Sequence, residues 1–185
     1  MCPTNWVDER WARVAPAYTN VGVDSLYSDQ KKAIVTHQCN QYLNDRDHSS
    51  FLVMGRPQSG RMFTVYTYLH ELVTHRIILP SQFTVCMETK LVDIVNIGYK
   101  RRDELDKLFD QSNEIIVIDG VGEAIYPSQY KEGRRAAWND LASFITRNRK
   151  TLILVSAKDS PTVSKAVGAY AWAMIEPHLE EYRLA

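Results

Sequence analysis

The segment that most restricts the fold runs from Ser50 to about His75. Phe51-Leu52-Val53-Met54 is a short apolar run that stops at Gly55. A second glycine, Gly60, closes a loop, and Met62, Val65, Tyr66, Leu69, Leu72 and Val73 then recur on one helical face. An apolar strand feeding a helix through a tight loop calls for a crossover connection and a parallel sheet covered on both faces. The pattern recurs downstream. Phe83–Met87, Glu114–Ile118 and Thr151–Val155 read as strands, with helices expected over Leu91–Ile97, Glu104–Phe109, Arg134–Thr146 and Thr162–Val167. Tyr170–Ile175 is expected as a fifth strand, and Ser28 as the N-cap of a helix over Asp29–Leu43. Residues 1–27, with Pro3, Pro16 and Gly22, read as an irregular arm with a short helix at Asp8–Val14, and 28–185 as the α/β domain.

A chain of 185 residues fits one such domain and buries enough surface to need no disulfide or metal staple. Lys+Arg and Asp+Glu number 22 each, so the net charge is zero and any nucleic-acid contact must come from a local patch. Cys2, Cys39 and Cys86 are widely spaced and read as free thiols in a reducing compartment. The five histidines show no ligand spacing. The opening MCPTNWVDERW lacks the basic and apolar regions of a secretory signal, and no apolar run reaches the roughly 20 residues of a membrane span, so the cytoplasm is the expected location. Trp6, Trp11 and Tyr18 either pack the arm on the core or dock a partner.

Gly55-Arg56-Pro57-Gln58-Ser59-Gly60-Arg61-Met62 has the spacing of the phosphate-binding P-loop, G-x-x-x-x-G-K-[ST], between a strand and a helix. Backbone N–H groups of such a loop converge on phosphate oxygens, and the helix N-terminus adds partial positive charge. The nucleotide-binding candidates are Gly55, Gln58, Ser59, Gly60, Arg61, Met62 and Asp119, with ATP or ADP as ligand. Two positions depart from the pattern. Arg61 offers a broad planar fork where a compact ammonium is usual, and the Met62 thioether cannot serve as a hydroxyl ligand to Mg²⁺. Losing two charge-assisted contacts weakens Mg-nucleotide binding by roughly 10²- to 10⁴-fold.

Glu114-Ile115-Ile116-Val117-Ile118-Asp119-Gly120 resembles a Walker B strand, whose terminal aspartate either holds Mg²⁺ through water or caps the following loop. Gly120 stands where ATPases of this type place a water-polarising glutamate, and Glu123 lies three residues on, too far along the chain to take that role directly. At the end of the fourth strand, Ser156 can donate a hydrogen bond and the Ala157 side chain cannot, where an asparagine is common. Four altered positions together, Arg61, Met62, Gly120 and Ala157, argue against efficient hydrolysis, so no catalytic residue is assigned.

With these motifs on the page, the order of Arg13…Pro16-Ala17-Tyr18, Val23-Asp24-Ser25-Leu26, Gln30-Lys31-Lys32-Ala33, the phosphate loop, Ile115–Gly122 and the end Trp172–Ile175…Glu181-Tyr182-Arg183 resembles DnaC/DnaI-type helicase loaders and IstB-type ATPases, over about residues 13–183. The resemblance implies an AAA+-type P-loop three-layer sandwich with a mainly parallel five-stranded sheet and no lid domain. It also implies a DNA-replication accessory role, with the replicative helicase or its loader as partner, single-stranded DNA as a further ligand and an oligomer as a possible assembly. Such a protein would belong to a bacterial host cell or its phage. Ser164–Tyr170 holds no arginine to serve as an arginine finger. Tyr99, Lys100, Arg101 and Arg102 are the candidates for single-stranded DNA, by phosphate pairing and one stacking platform. Arg134-Arg135 and Arg147-Asn148-Arg149-Lys150 are further basic clusters, read either as nucleic-acid contacts or as solvated surface. Two rival readings remain at this point: a loader-mimicking adaptor or inhibitor that binds protein alone, and an active P-loop NTPase.

Overall fold

A computed structural model describes residues 11–19, 21–96 and 102–185. Five strands, β1 Ser50–Gly55, β2 Phe83–Met87, β3 Ile115–Asp119, β4 Thr151–Ser156 and β5 Leu179–Leu184, form one sheet in the order β2-β3-β4-β1-β5. Every neighbouring pair is parallel. The helices are α1 Asp29–Asn44, α2 Arg61–Thr74, α3 Glu88–Asn96, α4 Arg102–Leu108, α5 Lys131–Asn148, α6 Ser160–Val167 and α7 Ala169–Ile175. Together they make the expected three-layer α/β sandwich.

Alternation along the strands builds two cores. Leu52, Met54, Ile116, Ile118 and Leu154 face α3, α5, α6 and α7, where Leu91, Trp138, Val163 and Trp172 complete the packing. Phe51, Val53, Ile115, Val117 and Ile153 face α1 and α2, with Val35, Val65, Tyr68 and Leu69 opposite. Burial on both faces explains why the central strands read as continuous apolar runs. The register pairs Met54 with Ser156, Met87 with Asp119 and Asp119 with Val155, which brings the ends of β1, β3 and β4 to one edge of the sheet.

The fifth strand lies elsewhere than expected. Tyr170–Ile175 falls within α7, whose Ala171, Trp172 and Ile175 are buried along one helical face. Gly168, at φ +93°, separates α6 from α7. The strand itself is Leu179-Glu180-Glu181-Tyr182-Arg183-Leu184, an edge strand whose charged residues conceal it in the sequence. Its polar groups are met by α1. The fully buried Gln38 donates from Nε2 to Glu180 Oε2 at 2.9 Å and to Tyr182 Oη at 2.7 Å. Smaller differences also occur. Glu114 precedes β3 and pairs with Arg46. Helix α3 starts at Glu88, immediately after β2. Ser28 makes no side-chain cap, and its carbonyl accepts from Lys32 N–H at 3.1 Å.

The described part of the leading arm packs on the α2 side of the core. Residues 11–14 are helical, and Trp11, Ala15, Val21 and Leu26 are buried. The Trp11 ring lies edge-on to Tyr66 and His70, with centroids at 6.2 and 5.0 Å, and tilted against Phe83 at 5.8 Å. Its Nε1 donates to Tyr18 O at 2.7 Å, and Tyr18 stacks on Tyr66 at 4.1 Å. Trp6, Cys2 and residues 8–10 of the helix expected over Asp8–Val14 lie outside the described residues.

Trp11→Ala is expected to destabilise the fold by about 3–5 kcal/mol, as loss of a buried indole does. Urea denaturation followed by circular dichroism checks this; an unchanged midpoint would show the arm to be dispensable to the core.

Candidate functional site

Strand β1 delivers the chain to the phosphate loop at Gly55, where any side chain would collide. A Cβ there would lie 2.6 Å from Ser59 Oγ and 3.1 Å from Leu184 O. The loop turns through Gln58 at φ +69° and reaches α2 through Gly60 at φ +82°. Gln58 adopts this left-handed conformation despite carrying a side chain, a cost accepted where successive N–H groups must point inward. Ser59 N–H donates to Arg56 O at 3.1 Å and Thr64 N–H to Gly60 O at 2.9 Å, closing the loop onto the first turn of α2. The loop therefore makes its tight path between β1 and α2 through left-handed backbone at Gln58 and Gly60.

The departures from the pattern have structural counterparts. Met62 packs partly buried against the α1–α2 core. Arg61, with a side chain 14% exposed, donates from Nη1 to Glu123 Oε1 at 3.0 Å. The same oxygen accepts from Ala157 N–H at 2.6 Å. Glu123 thus turns back into the cleft and joins the phosphate loop to the end of β4, contrary to the expectation from its distance along the chain. Two left-handed glycines, Gly120 at φ +75° and Gly122 at φ +74°, make the turn that returns it. They were the sequence signal for this approach. Ala157 contributes through its backbone, which its side-chain chemistry did not suggest.

Asp119 ends β3 at the same edge and accepts from Gly120 N–H at 2.8 Å. Burial raises its pKa above the ordinary carboxylate value, and Glu123 adds to the rise; the Gly120 N–H and Arg61 oppose it. Ser156 is committed elsewhere: its Oγ donates to Val121 O at 2.6 Å and accepts from Lys158 N–H at 2.9 Å. It holds the β3 loop against β4.

A buried carboxylate absent from the sequence-based candidates shapes this loop. Glu88, 1% exposed at the start of α3, accepts from Gly122 N–H at 2.9 Å and from Trp138 Nε1 at 2.9 Å. It also accepts from Arg134 Nε at 2.9 Å and Nη2 at 2.6 Å. The Arg134 guanidinium lies 4.7 Å over the Tyr126 ring. Arg134 is therefore engaged within the fold by Glu88. In the last basic cluster Lys150 likewise donates to Gln111 O at 2.7 Å and lies 3.7 Å from Glu114. Tyr99, Lys100 and Arg101 lie outside the described residues, and Arg102 opens α4. Among the described residues no group of His, Cys, Asp or Glu has the arrangement of a metal centre, and no helix is long and apolar enough to cross a membrane.

No protein-family model matches the chain, and a comparison with curated proteins gave no match. Solved structures do share its architecture. The crystal structure of the DnaC helicase loader superposes with a TM-score of 0.69 at 12% identity, covering 92% of this chain and 100% of the other. DnaI superposes with a TM-score of 0.68 at 10% identity, covering 90% and 88%. AMPPCP-bound DnaA from Aquifex aeolicus gives 0.66 at 9% identity, covering 93% of this chain and 51% of DnaA. The fold is that of a DnaC/DnaI-like AAA+ domain. At these identities the likeness is one of fold.

The residues present suit a phosphate: left-handed backbone at Gln58 and Gly60, the N-terminus of α2 and the Arg61 guanidinium lie together. The loop lacks a hydroxyl for Mg²⁺ at Met62, and Asp119 is the carboxylate at the strand end that could supply an oxygen to the ion.

Two measurements test this geometry. Glu88→Ala strands the Arg134 charge and is expected to cost about 3–5 kcal/mol, with partial recovery in Glu88→Met/Arg134→Met; thermal denaturation of the three proteins checks it. Asp119 binds its proton more tightly folded than unfolded, so its contribution to stability is present below its unfolded pKa and lost as pH rises through the folded value. Asp119→Asn, which keeps an acceptor for Gly120 N–H, should therefore raise Tm at pH 7, with the gain vanishing below about pH 4.

Proposed function

We propose that this protein is a DNA-replication accessory protein that engages the replicative helicase or its loader and uses its phosphate loop to bind nucleotide without turning it over efficiently. The replication role is supported by the shared fold of the DnaC helicase loader, DnaI and DnaA. The reading of the loop rests on one observation. Gln58 and Gly60 keep left-handed backbone in a loop of P-loop spacing, while the sequence has Met62, Gly120 and Ala157 where groups that hold metal, polarise water and contact the terminal phosphate are expected.

ATP or ADP would lie along the loop, with Gly60 and Arg61 at its phosphates and Asp119 as the one strand-end carboxylate toward Mg²⁺. Bound nucleotide supplies the negative charge that Arg61 otherwise finds in Glu123. Its phosphate must therefore compete with that carboxylate, whose side chain is 34% exposed and can swing away. Displacing it frees both Arg61 Nη1 and the Ala157 N–H, two donors that a phosphate oxygen would take over.

Tyr99, Lys100, Arg101 and Arg102 remain the proposed contacts for single-stranded DNA. A net charge of zero favours a second reading, an adaptor or inhibitor that binds protein alone.

Titration with fluorescent ATP and ADP, with and without Mg²⁺, tests the loop. Binding should be lost in Arg61→Ala, depend little on Mg²⁺ and tighten severalfold in Glu123→Gln, with no turnover above background. Turnover abolished by Asp119→Ala would instead make the protein an active NTPase. Salt-dependent binding of single-stranded DNA, lost in Lys100→Ala/Arg101→Ala/Arg102→Ala, separates the first reading from the adaptor, and binding to purified replicative helicase tests the partner.

A further inference from the structure

Arg61 is engaged by Glu123, and the loop has no lysine of its own. Another lysine stands over it. Lys31, in the first turn of α1, places its Nζ 3.0 Å and its Cε 3.7 Å from the position a Cβ would take at Gly60. The ammonium therefore sits directly on the left-handed glycine that opens α2.

The placement is held by neighbouring structure. Gln30 Nε2 donates to Arg183 O in β5 at 2.8 Å, and Arg183 is the register partner of Met54 in β1. The helix turn that carries Lys31 is thus anchored to β5, the strand paired with the one that leads into the loop. Lys31 is half-buried, and among the described residues no carboxylate forms an ion pair with it. An ammonium carries three donors and no acceptor. Held beside the left-handed Gly60 at the N-terminus of α2, it makes a site for an anion with several oxygens.

We propose that Lys31 supplies, from outside the loop, the compact cation that position 61 does not, so that the phosphate chain of a nucleoside di- or triphosphate is clasped between α1 and the Gln58–Gly60 backbone. This rests on the reading of the loop as a nucleotide site. Lys31 is a phosphate-binding residue in this scheme, and Arg61 is left to exchange between Glu123 and the nucleotide.

The test is equilibrium binding of fluorescent ATP, ADP and AMP to the full chain and to Lys31→Ala, Lys31→Arg and Arg61→Ala, with thermal melts to establish folding. Lys31→Ala should weaken ATP and ADP binding roughly 10- to 100-fold, leave AMP binding unchanged and melt as the parent does; Lys31→Arg should restore part of the loss. Parent-like ATP affinity in Lys31→Ala, with loss in Arg61→Ala, would overturn the assignment while leaving the loop a nucleotide site. Failure of both the parent and Glu123→Gln to bind ATP at millimolar concentration would overturn the loop reading, and the role of Lys31 with it.

Discussion

Glu88 is buried to 1% exposure, yet its carboxylate collects N–H groups from three directions: Gly122 in the β3 loop, and Arg134 and Trp138 on α5. Desolvating an ion pair is costly, and a well-packed apolar pair in the same space is often as stable. What the ionic arrangement provides is placement. With Gly122 tied to Glu88 and Val121 O tied to Ser156, the loop after β3 has little choice of path, and Glu123 is directed at Arg61 and Ala157. The electrostatics of the cleft are thus set from a position outside it, at the junction of β2 and α3.

The cleft is consequently closed by the protein's own chemistry. A carboxylate rests between the loop cation and a backbone donor at the end of β4, much as an anionic ligand would. Around it, the Met62 thioether packs toward the core and Gly120 takes the left-handed turn that begins the return of the chain toward Arg61.

Much of this was legible in the sequence. Phe51–Met54, Ile115–Ile118 and Leu152–Val155 are central strands buried on both faces, and burial writes itself into a chain as uninterrupted apolar residues. The glycine spacing of the phosphate loop is equally explicit, because only small residues tolerate the approach of Leu184 to Gly55. The edge strand was not legible. Leu179–Leu184 carries Glu180, Glu181 and Arg183 because one side of it lacks a strand neighbour, while the apolar Ala171, Trp172 and Ile175 of α7 imitate a strand over so short a span. Lys31, Glu88 and Glu123 were beyond a linear reading for a shared reason. Each matters through a partner distant in sequence, and only Glu123 has a local sign, the glycines at 120 and 122 that turn the chain back.

The strand order has a bearing on how the chain is made. β1 lies between β4 and β5, and both are synthesised after it. Until they emerge, Phe51, Leu52 and Val53 have no sheet neighbour on either side, so a growing chain carries this apolar strand unpaired while about a hundred further residues are added. Parallel pairing across such long separations is intrinsically slow and leaves sticky surface exposed in the interval. The sheet can therefore close around β1 only after the last strand has been made.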